Sequence, residues 1–496
     1  MKHRLLLVLF AAVFAFSVFA TGGRQQATTQ TSASGNPVLT ATSLYFSAEV
    51  AENAAYSARI EEITGYRLDV NWVPSTAYVD ILNTMLASNS MRNITVVENI
   101  KSTSFLNALD DNLFWFLDDY LRDYPNLGLI GEVRFNNAKR NGRTFGIPRS
   151  RHLVRQGIVY RQDWAEALGI RGQPTTLADV DRMVRGFAAR NETRYGLVMG
   201  SAAVNPAIPE AVDYLAIFMG APLNWGFNRQ GQFTHAWLTD EYMQAVEQLR
   251  TWYAEGLINR NFVEINSEDA KRILNTEEAG FIFIYCDDIG NRFNDLFVRN
   301  PSARLWYAYQ LNGRTFATQG FNGVLAISRN ANESILRHSL SFINNTGTVE
   351  FENFLASGLE GVHHTVVDGF LTINQEQGAR RNLLPPYNQF RPFEGVILPT
   401  IRARDTSPTA EANLALQQER LQYVNSAVTD PTIPYVSPTQ TRIGVSDLDP
   451  IRCDAINRYI MGVIDRTAYQ AAQQRWLAAG GTQVTREFEE QIRASR

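Results

Sequence analysis

The sequence predicts an α/β protein of two lobes, each a mostly parallel sheet flanked by helices. Three observations carry this. Strand-like and helix-like segments alternate from Val38 onward, the order that parallel α/β sheets produce. The alternation falls into two blocks, with a strand crossing between them near Ile147–Tyr160. The chain has 496 residues, 45% of them hydrophobic, which is more than one domain of roughly 100–200 residues and enough for more than one core.

In the first block Val38–Phe46 reads as a strand and Glu49–Ile63 as a helix, with Ala51, Ala55, Ala58 and Glu62 at helical spacing. Arg67–Val73 alternates and puts Leu68, Val70 and Trp72 on one face. Tyr78–Leu86 returns to the helical period through Ile81, Leu82, Met85 and Leu86, and Ile94–Val97 is a short apolar strand. The second block opens with an NGRT turn before Thr144–Pro148, followed by a strand at Gly157–Tyr160 and a short helix, Asp163–Leu168, closed by Gly169. Thr176 with Asp179 forms a capping-box pattern. Thr239 caps Asp240–Glu255, whose Tyr242, Val246, Leu249 and Tyr253 share a face until Gly256 stops the helix. Ser267 opens a helix leading into the strand Ala279–Tyr285. Gly323–Ser328 and Glu333–Asn344 make a further strand–helix unit, and Cys453–Ile464 and Arg466–Ala479 are helical. Gln375–Tyr435, rich in Pro, Asn and Gln, reads as loop, and no repeat of 20–50 residues is present.

The N-terminus sets the compartment. Lys2, His3 and Arg4 precede the apolar run Leu5–Phe16, and Val18 and Ala20 are small residues where a signal peptidase reads, so cleavage is expected after Ala20. The run is shorter than the roughly 20 residues of a spanning helix. Thr21 stands where a lipoprotein would carry its anchoring cysteine, so a lipid anchor is not expected. Residues 21–37, polar and small, read as a flexible tether. The 46 basic and 50 acidic residues give a net charge of −4, or −6 once Lys2 and Arg4 are removed, which argues against a nucleic-acid partner. Only four basic residues are lysines (Lys2, Lys101, Lys139 and Lys271), a bias that reads as codon usage. Cys286 and Cys453 are too few for a disulfide scaffold or a thiolate zinc site, although one disulfide between them stays open.

Catalytic signatures are scarce. The chain has no G-x-S-x-G elbow, no phosphate-cradling P-loop and no G-x-G-x-x-G. His363–His364 with Asp368 lacks a third ligand at metal spacing. Carboxylate pairs occur at Asp110–Asp111, Asp118–Asp119 and Asp287–Asp288. The last follows an apolar strand, beyond the carboxyl end where α/β sheets bind ligands. Aromatic residues are the better clue, at 8 Trp, 19 Tyr and 28 Phe. Tyr45, Trp225, Tyr285, Trp306, Tyr307 and Phe321 sit at strand ends or in loops, where a flat ring can stack on a pyranose. Trp164, Trp252 and Trp476 lie in helical patterns and read as core.

Several segments, in order, resemble the extracellular solute-binding proteins of carbohydrate ABC transporters, in the oligosaccharide branch with maltodextrin- and alginate-oligosaccharide-binding relatives. These are Asn141–Pro148 (NGRTFGIP), Tyr160–Gly169 (YRQDWAEALG) with Pro174–Thr175, Gly220–Trp225 (GAPLNW), Val246–Ile258 (VEQLRTWYAEGLI), Gly323–Ser328 and Gly358–Gly361 (GLEG). The resemblance implies a type II-like two-lobed periplasmic-binding-protein fold with hinge strands near Pro148–Tyr160 and Phe321. It also implies capture of an oligosaccharide between the lobes by a monomer, which is handed to ABC permease subunits at the membrane exterior. No enzyme activity and no cofactor is expected. Two departures stand out. Met91-Arg92-Asn93-Ile94-Thr95 replaces a PD pair common in relatives, and Ala189–Tyr195 (ARNETRY) lacks the alternating carboxylates of a calcium loop, so no calcium is expected there.

The expected division is 1–20 signal, 21–37 tether, 38–148 first lobe, 149–320 second lobe, 321–374 return to the first lobe, and 375–496 a loop-rich segment with C-terminal helices, mainly of the second lobe. By position, the candidate stacking residues are Tyr45, Trp225, Tyr285, Trp306 and Phe321, and the candidate hydroxyl partners are Arg149, Asp287, Asn322 and Glu360. Two other readings stay open, a secreted glycoside hydrolase and a binding protein that serves a sensor rather than a transporter.

Overall fold

Nine strands build two sheets in a computed structural model that describes residues 30–46, 50, 53–191, 193–200, 210–374, 384–393, 401, 404–443 and 445–495. The expected signal peptide, 21–29 of the expected tether, and 375–383, 394–400 and 402–403 of the loop-rich segment lie outside the described residues. In chain order the strands are β1 (Val38–Tyr45), β2 (Arg67–Pro74), β3 (Ile94–Val97), β4 (Ile147–Ser150), β5 (Gln156–Arg161), β6 (Tyr195–Val198), β7 (Ala279–Tyr285), β8 (Leu305–Ala308) and β9 (Phe321–Ile327). The first sheet has the order β2-β1-β3-β9-β4 and the second β8-β5-β7-β6.

One strand in each sheet runs against the rest. In the first sheet β1 lies parallel to β2 and β3, whereas β9 is antiparallel to β3 and β4. In the second, β7 is parallel to β6, and β5 is antiparallel to β7 and β8. The odd strands are the two that enter a lobe directly from the connection between lobes. The carboxyl ends of the other strands face that connection, so a strand arriving from it starts where the others stop.

Both sheets are buried on two faces, as sheets covered by helices must be. Along β7, Phe281 and Phe283 join one cluster with Trp164, Phe187, Trp237 and Trp252, while Ile282 and Ile284 point the other way to Leu305, Tyr307 and Leu416. The first sheet packs Leu39, Ala41, Val96 and Leu325 with Leu336, Leu340 and Phe351 of the covering helices. The C-terminal helices contribute Ile456, Tyr469, Trp476 and Phe488 to the second core, and Tyr387, Phe390 and Phe393 pack into the first.

Local chemistry sets the element ends. Asn53 accepts from the Tyr56 amide, so the first helix begins at Ala54, later than its apolar pattern suggests. Asn141 and Gly142, both at positive φ, make the two-residue turn between Lys139–Arg140 and Arg143–Thr144. Thr176 and Asp179 close the expected capping box. Asn266, one residue before the expected start, caps Ser267–Asn275. The R-D-W segment has a structural explanation. Arg161, buried at the end of β5, ion-pairs with Asp163 and Glu277 at 2.6 Å each, and its guanidinium lies 4.2 Å from the centre of the Trp164 ring. Helices Thr103–Asp110, Glu210–Met219, Val349–Ser357 and Thr482–Ala494 were not anticipated.

The described end of the expected tether is hydrogen-bonded. Ser32 and Asn36 donate to Glu61 Oε1 at 2.6 and 3.1 Å, and Thr31 bridges Pro37, which docks 30–37 on the first helix. Cys286 and Cys453 are both buried and no disulfide joins them, which closes the disulfide question. Among the described residues no helix is long and apolar enough to cross a membrane.

Packing predicts a sharp contrast in stability. Phe281→Ala should cost about 3–5 kcal/mol in urea unfolding, the range for deleting a buried ring. Val298→Ala, at a site 81% exposed, should stay within about 0.5 kcal/mol.

Candidate functional site

The chain crosses between the sheets at 151–155 and again at 317–320, and the two crossings lie side by side. The Arg151 amide donates to Gly320 O and the Thr318 amide to Leu153 O, both at 2.8 Å, and Val154 bridges Ala317. Arg134, on helix Glu132–Asn137, staples both crossings, because its Nε donates to Gly320 O at 2.9 Å and to Arg151 O at 3.1 Å. Gly320 has φ +82°, and a Cβ there would meet Leu153 at 2.7 Å, so the position requires glycine.

Above these crossings lies a cleft of about 710 Å³, within the range of small-molecule sites. Its walls come from both sheets. Lys101 follows β3, Phe321 and Asn322 begin β9, and Tyr285 ends β7. Leu223, Asn224 and Asp213 come from the second lobe, and Arg151, Arg155, Gln156 and Phe316–Gln319 form the floor. Asp430 and Ile433 close one side. Ile433 packs against the first core and Tyr435 against the second, so this short segment touches both lobes.

The polar groups interlock. Asp430 accepts from the Thr432 amide at 2.8 Å, the Thr432 hydroxyl at 2.6 Å and Asn224 at 3.3 Å. Burial raises the Asp430 carboxyl above its usual range and lowers the Lys101 amine, which donates to Thr432 O at 3.4 Å. Asp287 sits between two guanidiniums, with Arg155 Nε at 2.8 Å and Arg420 Nη2 at 2.7 Å. The Arg155 guanidinium also lies 4.9 Å from the centre of the Tyr285 ring. Burial pushes His152 down to about 2, helped by the charges of Arg420, Arg155, Arg134 and Arg151.

Of the nine candidates, Tyr285, Phe321 and Asn322 line the cleft. Tyr285 is 40% exposed, whereas Phe321 is mostly embedded in the first core. Arg149 does not line it. At 2% exposed it lies under the floor, donating to Asn322 O at 3.0 Å and to the Gln389 side chain. Asp287 likewise supports Arg155 from behind. Trp225 must be corrected to a core residue, because it is 5% exposed and packs on Phe233, His235, Trp476 and Phe488. Its place in a short hairpin turned it inward against the C-terminal helices. Trp306 lies on edge strand β8, stacked on Tyr307, and Tyr45 ends β1; neither lines the cleft. Glu360 belongs to a separate depression of about 390 Å³ on the first lobe. The lining residues missed were Lys101, Arg151, Arg155, Gln156, Asp213, Leu223, Asn224, Phe316–Gln319, Asp430 and Ile433. A signal existed for two of them, since 149–155 (RSRHLVR) concentrates arginines at an expected crossing. The contribution of 430–433 depends on long-range packing, with no local signature.

Among the described residues no group of three or more His, Cys, Asp or Glu side chains could hold a metal ion. His363 and His364 instead bond locally, to the Leu359 amide and Ser357 O.

No family model matches the chain. Two curated proteins of Bacillus subtilis (strain 168) are similar to it over most of their length. The polygalacturonan/rhamnogalacturonan-binding protein YtcQ is 26% identical over 452 residues, 88% of each chain. The lipoprotein LipO is 27% identical over 463 residues, again 88% of each. Solved structures match over the whole two-sheet architecture. The chain has the fold of the two-lobed solute-binding proteins. An HMO-binding solute-binding protein from Bifidobacterium longum infantis superposes with a TM-score of 0.65 at 12% identity, covering 92% of this chain and 99% of that one. FusA of S. pneumoniae in complex with kestose gives 0.62 at 15%, covering 92% and 100%. The alginate-binding protein AlgQ2 gives 0.60 at 15%, covering 92% and 97%. All three neighbours are binding proteins.

A pH effect follows from the depressed histidines. His152, and His235 buried in the second core, stay neutral in the folded chain, while in the unfolded chain both protonate near pH 6.5. The unfolded state therefore binds more protons below that pH, and stability falls as pH drops from 7 to 5. Urea midpoints should show this fall, and His152→Gln should reduce it.

Proposed function

We propose that this chain is the extracellular binding subunit of an ABC importer that captures an oligosaccharide in the cleft by hinge closure. The observation that carries the reading is the cleft itself. It opens at the carboxyl ends of strands from two sheets, over two short crossings, so ligand contacts on both lobes pull the same hinge. The similarity to YtcQ, named for binding a polysaccharide, supports a carbohydrate. Export fits the first twenty residues, with cleavage after Ala20.

In this reading Tyr285 supplies the ring for a pyranose face, and Asn322, Gln156 and Asn224 supply hydroxyl partners. Arg149 and Asp287 are positioning residues. Arg149 fixes the Asn322 backbone, and Asp287 orients Arg155. The ligand shifts the open–closed population only by its preference for the closed form, so residues from both lobes must touch it. The monomer suffices for this, and the closed surface would then be read by the permease.

A thermal-shift screen with mono-, oligo- and uronic saccharides tests the reading. A ligand at 100 times its Kd should add about 2.7 kcal/mol of stability, and small-angle scattering should show a smaller radius of gyration. Tyr285→Ala should lower the affinity about tenfold with an unchanged melting temperature of the free protein. A shift with peptides and with no saccharide would remove the carbohydrate assignment.

A further inference from the structure

A loop anchored in the second lobe at both ends rests its tip on the first lobe. At one end Ala427 and Val428 pair with Thr315 and Phe316, and the Ala317 amide donates to Val428 O at 3.3 Å. At the other, Gln491 on helix Thr482–Ala494 donates to Val436 O at 3.0 Å, and Glu487 accepts from Ser437 and Thr439. Between these anchors the chain folds into a compact turn. Asp430 accepts from the Thr432 amide and hydroxyl, the Tyr435 amide donates to Thr432 O at 3.0 Å, and Asn224 ties Asp430 to the second lobe at 3.3 Å. The tip then crosses the boundary. Ile433 packs against the first core, and Lys101, from the segment after β3, donates to Thr432 O at 3.4 Å. The Lys101 ammonium and the Asp430 carboxylate, one from each lobe, attract each other there.

The contact is slight, and part of it works against itself. One half-buried isoleucine, one long hydrogen bond and one attraction between opposite charges hold the tip. Burial strips water from both charges, pushing the Lys101 amine down and the Asp430 carboxyl up, so desolvation offsets part of the attraction. An attachment of that size can release while the two crossings stay tied to each other. Lys101, Asp430 and Ile433 also line the cleft, so a ligand lying there meets the tip from inside.

Resting on the reading of the two crossings as a hinge, we propose that 430–435 is a releasable clasp that holds the lobes together before any ligand arrives and thereby sets the affinity of the cleft. Closure is then largely complete in the free protein, and less of the ligand's binding energy goes into moving the lobes. Loosening the clasp lowers the closed fraction, and the apparent affinity falls by the same factor.

Double electron–electron resonance on the full mature chain, free of ligand, tests this. Spin labels at Val79→Cys on the first lobe and Val298→Cys on the second read the distance between lobes, since both positions are exposed while Cys286 and Cys453 are buried. In the labelled parent one short-distance population should predominate. Ile433→Ala should raise a longer one, changing the open-to-closed ratio about tenfold, the order expected for cutting back a half-buried isoleucine. Lys101→Gln, which alters only the first-lobe side of the contact, should shift the ratio in the same direction. Identical distance distributions in the parent and both variants overturn the clasp, as does a parent that is open throughout. Ligand capture is read separately by the saccharide screen. A clasp that fails leaves that reading standing, and longer distances in the variants with no saccharide shift keep the clasp and remove the carbohydrate.

Discussion

The arrangement rests on one guanidinium and the two backbone crossings it joins. Arg134 donates to the carbonyls of Arg151 and Gly320, and those crossings also bond to each other through Arg151, Leu153 and Thr318. Two crossings held side by side form a double connection between the sheets. Everything above it inherits that geometry. Strands entering from the crossings run against the rest of their sheets, and the remaining strands present their carboxyl ends to the gap. The cleft is where those ends meet.

The same connection concentrates charge. Arginines 149, 151 and 155 lie within seven residues at the first crossing, and Arg420 arrives from a distant segment. Burial pushes Arg149 down to about 10, with the charge of Arg151 working in the same direction. Its cost is met in part by Asn322 O and Gln389, which fix the start of β9 and hence one wall of the cleft. Stability is traded here for a wall held in one geometry. His152, kept neutral amid these cations, avoids adding one more charge.

Much of the fold was legible because it is written locally. Arg67–Pro74 alternates because Leu68, Val70 and Trp72 share one face, and Ala279–Tyr285 is an unbroken apolar run because both its faces are covered. The caps at Thr176 and Thr239 follow from the orphan amides of a first turn. The site was legible only in part. Tyr285, Phe321 and Asn322 sit next to strand ends, so the carboxyl-end rule reached them. Trp225 misled because a tryptophan beside a turn looks the same in sequence whether it faces a ligand or the helix Thr482–Ala494. Lys101, Asp430 and Ile433 join the cleft from segments more than three hundred residues apart, which no local pattern records.

By itself the sequence determined the element types, the two-block α/β order and the place of the crossings, because each depends on residues within a few positions of one another. Only the tertiary structure decided which aromatic rings are core and which face the gap. It also decided that Arg420 joins Arg155 at Asp287, and that 30–37 docks on Glu61. Those outcomes depend on which surfaces meet when two sheets and their helices pack. Burial and Coulomb energies act through space between groups that the chain keeps far apart.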